Sequence, residues 1–508
     1  MVCWRLAARF LGLFSIAILA RILVPADFGL ISLAYAFSRA IDTTAYLGVD
    51  YVLLRGSDFD RDLYSTGFTI SIIKSTITAT MVACFSHTFA VFFKDPRLEP
   101  ILYLFALGLV FEGCENLGVI EFRRTLRFDK DFILLAAPRL IAVVVSIFLA
   151  IVLKSYWAMV VSILVAKISR TALSFILHPF RPRITLVARK RLLRFSIWMW
   201  ATSIAFFIRD RADAFVVGRL MNTANLGLFS AASEIAILPI TEIVEPVGRV
   251  LFSGISAAYH GGMEVGKAVA RSLGAVTFIL LPAAVGISLI AAPLIYVTLG
   301  AGWMAGYPLV QIIAPWAAWS IFSSVGSSAL VVQGNPRVVT FMTTGLAILR
   351  PPVLILGLTS GGLRGVAWAT ACCYSIEGAL YVIALTRLTQ LRLLSLLGDL
   401  WRSATSVAIM AAVVVGFGLG WATPPASTSA ALTQLTLGTL VGAASYTSCV
   451  FALWAICGCP DGPEALVSRL TLPRVAAAAM TLVALQARTW VGIKRFNNAQ
   501  LYRRRSAN

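Results

Sequence analysis

Residues 21 to 34 read RILVPADFGLISLA, and residues 219 to 232 read RLMNTANLGLFSAA. The two stretches agree at Arg, Ala, Gly, Leu, Ser and Ala, and they pair Asp27 with Asn225 and Phe28 with Leu226. Each joins the first and second apolar segments of a block of six such segments. That placement describes a chain built twice, with parallel repeats related by an axis along the membrane normal and Gly29 equivalent to Gly227.

Outward from those stretches the chain is apolar almost throughout. Of its 508 residues 59% are hydrophobic and 13% charged, against roughly 25% charged in an average soluble domain. Mean hydropathy is +0.86. Runs such as LIAVVVSIFLAIVL (140 to 153) and AVTFILLPAAVGISLIAAPLIYVTL (275 to 299) are long enough for a hydrocarbon core of roughly 30 Å. The expected fold is an all-α polytopic membrane protein of about fourteen transmembrane helices: two pseudo-symmetric six-helix lobes around a central cavity, and two extra C-terminal helices. The boundaries read 1–178 for the N-lobe, 179–194 for a basic cytoplasmic linker, 195–386 for the C-lobe, 387–456 for the last two spans and 457–508 for a basic cytoplasmic tail. With Arg5 and Arg9 inside its apolar core and no small-residue cleavage site, the N-terminus reads as a retained first span.

A formal net charge of +20 raises the question of nucleic acid in a soluble protein. Here its distribution speaks instead for membrane orientation. Alternate loops carry 27 Lys and Arg, and the opposite set only Lys94, Lys154, Arg97, Arg219 and Arg364. Basic loops stay on the cytoplasmic side, so both termini are expected there, in a bacterial inner membrane, and the opposite loops are too short for a catalytic domain. The eight cysteines lie mostly within apolar runs, as small core residues rather than disulfide partners.

The stretches ILARILVPADFGL (18 to 30), VIEFRRTLRFDKDF (119 to 132) and RADAFVVGRLMNTANLGLFSAASEIAILPITEIVEPVGRVLF (211 to 252) resemble a known family. It is the polysaccharide transporter branch of the MOP exporters, the Wzx-type flippases for lipid-linked oligosaccharides. The resemblance implies two six-helix lobes in a V around a cationic cavity. It further implies transfer of undecaprenyl-diphosphate-linked repeat units across the inner membrane for O-antigen, exopolysaccharide or capsule assembly.

Charges within the spans are the candidate site. Arg9, Arg21, Arg39, Lys74, Arg139, Lys167, Arg170, Arg209, Arg211 and Arg350 lie inside apolar segments. Each costs roughly 2.5–3.5 kcal/mol at mid-bilayer on insertion scales unless it faces a cavity or a partner. Arg39 with Asp42 and Arg209 with Asp213 have the spacing of intrahelical pairs. Arg21 can snorkel from a span end, and Lys74 and Arg139 fall in the cytoplasmic third. Lys167, Arg170 and Arg350 have no acid three or four positions away and lead the candidates for a phosphate-binding lining. Pro351 and Pro352, which follow Arg350, would allow a hinge. Asp42, Glu112, Glu115, Asp210, Asp213, Glu234 and Glu377 are intramembrane acids; Asp42, Asp213, Glu234 and Glu377 are the candidates for coupling to H⁺ or Na⁺.

Other signals carry less. Gly261 to Lys267 has the outline of a Walker A loop, but Ala268 stands where a Mg²⁺-binding hydroxyl is needed and no strand precedes it. His87, His178 and His260 are scattered, and Cys457 with Cys459 lacks further metal ligands. No catalytic constellation, metal site or cofactor is expected, so the chain reads as no enzyme. The basic pieces EFRRTLRFDKDF and FRPRITLVARKRLLR read as amphipathic segments on anionic membrane lipids, with glycan-assembly enzymes (a polymerase, glycosyltransferases) as further partners and no nucleic acid. The rival readings are a cation-coupled multidrug antiporter, which favours an acidic or aromatic cavity, and a membrane glycan polymerase or ligase, which needs a large external loop.

Overall fold

The computed structural model describes residues 2–44, 53, 60–125, 127–189, 196–244, 265–389, 391, 393–421, 424–460, 462–465 and 468. Helix is the regular structure throughout the described residues. The first half holds α1 (Val2–Ile22), α2 (Pro25–Thr44), α3 (Arg61–Phe93), α4 (Leu98–Gly113), the short α5 (Ile120–Arg124), α6 (Phe128–Leu153) and α7 (Trp157–Leu177). The second holds α8 (Ser196–Leu220), α9 (Thr223–Ala236), α10 (Val265–Leu289), α11 (Ala291–Thr298), α12 (Tyr307–Ala317), α13 (Ser320–Val332) and α14 (Pro336–Leu388), followed by α15 (Leu393–Gly416) and α16 (Thr428–Ile456).

Local chemistry sets the ends of these helices. Asp60 caps α3, its carboxylate accepting from the backbone N–H of Asp62 and Leu63 at 3.0 and 3.1 Å, and Asn222 caps α9 by accepting from Asn225 N–H at 2.8 Å. These bonds satisfy donors that no preceding turn can reach. Helices α3 and α6 end on Lys94 and Lys154, both in the left-handed conformation, where a cation also complements the carboxyl end of the helix dipole. Segment α14 is a hairpin of two helical arms, because Gly361 and Gly362 leave helical geometry and Gly362 takes φ +56°. At Pro351–Pro352, where a hinge is expected, the backbone stays helical. Both prolines lie inside the first arm, and the only non-helical residues of α14 are the two glycines.

By length and apolarity seven helices among the described residues can cross a membrane, or eight if α4 and the segment Leu117–Arg124, bent by 64°, form one span. The expected count of about fourteen exceeds that number for a physical reason. Helix α2 carries Asp27, Arg39 and Asp42, and α8 carries Arg209, Asp210, Arg211, Asp213 and Arg219. Helices that line a polar cleft fail a test of uniform apolarity.

The lobes meet where the repeat begins. Helix α2 packs on α9 and α8, and the contact is reciprocal. A Cβ on Gly29 would collide with the carbonyl oxygen of Thr223, and one on Gly227 with that of Pro25. Ser32 Oγ and Ser230 Oγ lie 3.1 Å apart across the same contact, 198 residues apart in sequence. Equivalent atoms thus face each other across the expected pseudo-twofold axis. Around them Leu30, Leu33, Leu226 and Phe229 form one buried core shared by both lobes. Trp303 closes it, with its indole N–H donating to Ala20 O at 2.8 Å and its ring edge-on to Phe28 at 4.9 Å. Arg21 ties the same end by donating to Val297 O at 2.6 Å. The outward faces of α3 and α6 expose Ile77, Phe85, Val144, Phe148 and Ile151, an apolar surface of the extent a bilayer covers.

Candidate functional site: a charged cavity in the N-lobe

Helices α2, α3, α4, α6 and α7 enclose a cavity of about 510 Å³. Its charged lining comes from every wall: Arg39 and Asp42 from α2, Lys74 from α3, Glu112 from α4 with Glu115 just beyond it, Arg139 from α6, and Lys167 and Arg170 from α7. Ser71, Ser75 and Thr171 add hydroxyls. Tyr35, Arg39 and Asp42 follow one another at the spacing of one helical face, so α2 presents a polar stripe to the cavity while Leu30, Leu33 and Ala36 are buried in the lobe contact.

Every carboxylate in the cavity holds a base. Asp42 bridges Arg39 at 3.2 Å and Lys74 at 2.7 Å. Across the α4–α7 contact runs a ladder of two rungs, Lys167 Nζ to Glu112 at 2.7 Å and Arg170 Nε to both oxygens of Glu115 at 3.0 Å. The ladder depends on close approach of the helices. Gly108, one turn before Glu112, leaves room for the Lys167 stem, whose Cδ would lie 2.9 Å from a Cβ at that position. Thr171 Oγ1 donates to Phe111 O at 2.7 Å and fixes the register of the rungs. Tyr35 links the cavity to the other lobe: its hydroxyl accepts from Arg39 Nε at 3.1 Å, and the Arg39 and Arg211 guanidiniums lie 5.5 and 5.6 Å from its ring centre. Such placements over an aromatic face are attractive by roughly 0.5–2 kcal/mol.

The structure thus gathers Arg39, Lys74, Lys167 and Arg170 into one cavity, with Arg211 at its edge. It moves Arg350 out of that group. Arg350 lies in the C-lobe, 6.0 Å from the ring centre of Tyr374, with Asp213 the strongest charge acting on it and its Nε without a hydrogen-bond partner among the described residues. The absence of an acid on its own helix was a poor guide, because partners and cavities come from neighbouring helices. The same reason overturns the Arg209–Asp213 pairing. Arg209 instead binds Asp210 at 2.8 Å and, across to α14, Glu377 at 3.3 Å. The Arg39–Asp42 pair is present as spaced, yet both residues also line the cavity, as do Lys74 and Arg139. Glu234 is exposed on α9. The side chain of Arg9 lies outside the described residues, as do 261–264 of the Walker-like stretch. Tyr35 carried no signal in the sequence, since only the meeting of two lobes gives it its role.

Two pseudo-symmetric helical lobes, joined at a reciprocal glycine contact and holding charge inside apolar walls, define a polytopic membrane protein with a charged interior. Comparison with known proteins refines that class. Residues 18–308 match the family described as polysaccharide biosynthesis protein, and the chain belongs to it. It is similar to the succinoglycan biosynthesis transport protein ExoT of Rhizobium meliloti (strain 1021), with 22% identity over 302 residues, 59% of this chain and 61% of ExoT. The match therefore spans less than two thirds of that relative. The lipopolysaccharide biosynthesis protein WzxC of Escherichia coli (strain K12) is 19% identical over 367 residues, 70% of this chain and 73% of WzxC. Among solved structures, the lipid II flippase MurJ in an inward closed conformation shares the fold with a TM-score of 0.71 at 16% identity, covering 90% of this chain and 98% of MurJ. An inward-facing multidrug resistance MATE transporter of the MOP superfamily follows at 0.61, with 14% identity, 77% of this chain and 99% of that one.

Proposed function

We propose that the chain is a flippase for oligosaccharides linked to undecaprenyl diphosphate, serving exopolysaccharide, O-antigen or capsule assembly in the bacterial inner membrane. The observation that carries this reading is the gathering of Arg39, Lys74, Arg139, Lys167 and Arg170 around one cavity of about 510 Å³. A diphosphate is a multivalent anion, and guanidinium and ammonium groups at lowered dielectric stabilise it through charge-assisted hydrogen bonds. The volume lies within the roughly 300–1,000 Å³ usual for ligand sites. No covalent step is involved: the lipid tail stays in or near the bilayer while diphosphate and glycan cross inside. The names of ExoT and WzxC, a transport and a lipopolysaccharide biosynthesis protein, and of the lipid II flippase MurJ support the substrate class. An excess of bases in the cavity speaks against export of cationic drugs. A polymerase and glycosyltransferases are the proposed cytoplasmic and membrane partners.

The lobes and linker take the proposed limits 1–178, 179–194 and 195–386, with 387–456 appended and 457–508 as tail. The charge asymmetry of the loops puts both termini in the cytoplasm. In that orientation the turns between α1 and α2 and between α8 and α9 are periplasmic, so the reciprocal glycine contact closes the periplasmic end and the cavity is served from the cytoplasm. Asp42 and Glu377, each bound to an arginine, act as counter-ions in this state, and coupling to H⁺ or Na⁺ would have to release them.

The test is a deletion strain. It should accumulate a lipid-linked oligosaccharide on the cytoplasmic leaflet and lose export, and a K167A/R170A double variant at normal abundance should fail to restore it. Normal export from that variant would remove the diphosphate site. Reporter fusions after 126, 186 and 260 should report cytoplasm, and those after 96, 222 and 302 periplasm.

A further inference from the structure

The two-rung ladder between α4 and α7 poses a question that binding alone does not answer. If Lys167 and Arg170 are there to hold a diphosphate, a carboxylate already sits on each. An ion pair of purely structural value would be expected to use up its base and turn away from the cavity. Here Glu112, Glu115, Lys167 and Arg170 all line it. Arg170 spends only Nε on Glu115, and its terminal nitrogens have no hydrogen-bond partner among the described residues. That leaves the outer edge of the guanidinium fork free for a second, bidentate acceptor. Lys167 Nζ, a donor of up to three hydrogen bonds, gives one to Glu112.

The charge count points the same way. The cavity carries the bases Arg39, Lys74, Arg139, Lys167 and Arg170 against Asp42, Glu112 and Glu115, an excess of two positive charges. A diphosphate esterified at both ends carries two negative charges and would leave the cavity neutral. Without the glutamates the excess would double, and a transporter that must let go of its cargo would hold it too tightly. Binding energy shared equally by loading and release states does nothing for turnover.

Building on the diphosphate reading, we infer that Glu112 and Glu115 are specificity-determining residues. They are resident counter-anions that keep Lys167 and Arg170 oriented in the empty cavity, compete with the entering diphosphate and hasten its departure. They discriminate by charge, since an anion weaker than a diphosphate cannot displace two carboxylates at once.

The experiment uses the full-length protein in detergent and a synthetic probe, farnesyl-diphosphoryl-N-acetylglucosamine, with affinity and dissociation rate measured together. E112Q and E115Q should each bind it about tenfold more tightly, mostly through slower dissociation. Their binding should also fall more steeply with salt, because the net attraction is larger. E112D, which keeps the charge, should behave as the parent does. The two rungs are separate, so E115Q tests the idea even if E112Q does not fold. A purely structural ladder would instead lower the melting temperature of the Gln variants and leave affinity unchanged or weaker. That result, with K167A/R170A abolishing probe binding, would overturn the inference while sparing the diphosphate reading. Probe binding undiminished in K167A/R170A would overturn both.

Discussion

Helices α2 and α9 are the same element in two copies, and they have been put to different uses. Over the first turns they are interchangeable: Gly29 and Gly227 pack against one another, and Ser32 meets Ser230. Further on they diverge. Helix α2 continues to Thr44 and presents Tyr35, Arg39 and Asp42 to the N-lobe cavity. At the same 198-residue offset α9 has Ser233, Ile237 and Ile240, and its α-helix stops at Ala236. Pro239 has no N–H to continue the ladder, and a π-turn follows at Ile240–Val244. The C-lobe sets Arg209 against Asp210 and Glu377, and Arg350 over the ring of Tyr374. Symmetry is therefore held where the backbones touch, since any side chain there would part the lobes, and released further along the two helices, where only α2 faces the charged cavity.

The contact is the first place to break the comparison, and it should give the largest effect. Gly29→Leu and Gly227→Leu each drive a side chain into a backbone carbonyl of the other lobe. Overpacking of this kind costs about 3 kcal/mol or more, so both variants should lose most folded protein in size-exclusion chromatography, and to similar extents. Tolerance at Gly227 alone would mean that the contact is not reciprocal.

Next come the lining charges, where the lobes should part. Lys167→Ala and Arg170→Ala should each cut export at least tenfold with abundance unchanged. Lys167→Glu should do worse than Ala, and Lys167→Arg should retain partial activity. Arg350→Ala should act on the fold instead. It removes the guanidinium held 6.0 Å from the ring centre of Tyr374 in the C-lobe, and loss of a contact of this kind costs roughly 0.5–2 kcal/mol, read as a lowered melting temperature. Equal stability losses in both lobes would erase the distinction between the proposed N-lobe binding site and a structural contact in the C-lobe.

How much of this is readable without coordinates follows from the range of the interactions. The repeat is legible because its signature is a pair of glycines and a pair of serines that cannot be exchanged where backbones touch. The two arms of α14 are legible because Gly361 and Gly362 interrupt an apolar run. The ladder is not: Glu112 and Lys167 are 55 residues apart, while the i, i+3 and i, i+4 rules see only one helix. Arg350 was drawn into the site by that same blindness. The prolines after it suggested a hinge, yet a helix packed among others re-satisfies the carbonyls they free.

The smallest effect belongs to the exit of the N-lobe, where α7 hands over to the segment after residue 177. His178 caps α7, with only 9% of its side chain exposed. Its Nδ1 accepts from the backbone N–H of Phe180 at 3.1 Å, so the proton of the neutral ring sits on Nε2 and is donated to Glu121, also at 3.1 Å. Burial pushes the imidazole below its ordinary 6.5, and the charges of Lys130 and Arg181 add to this against the opposing pull of Glu121. The folded state therefore prefers the neutral ring more than the unfolded chain does. The stability this contributes is fully present above 6.5 and is lost as pH falls below that value, because the unfolded chain takes up the proton first. The melting temperature of the purified protein should decline between pH 7.5 and pH 5. His178→Gln, whose amide can keep one donor and one acceptor but cannot titrate, should decline less over the same range. An identical pH profile in the variant would show that this cap is indifferent to protonation and that the acid sensitivity lies elsewhere in the fold.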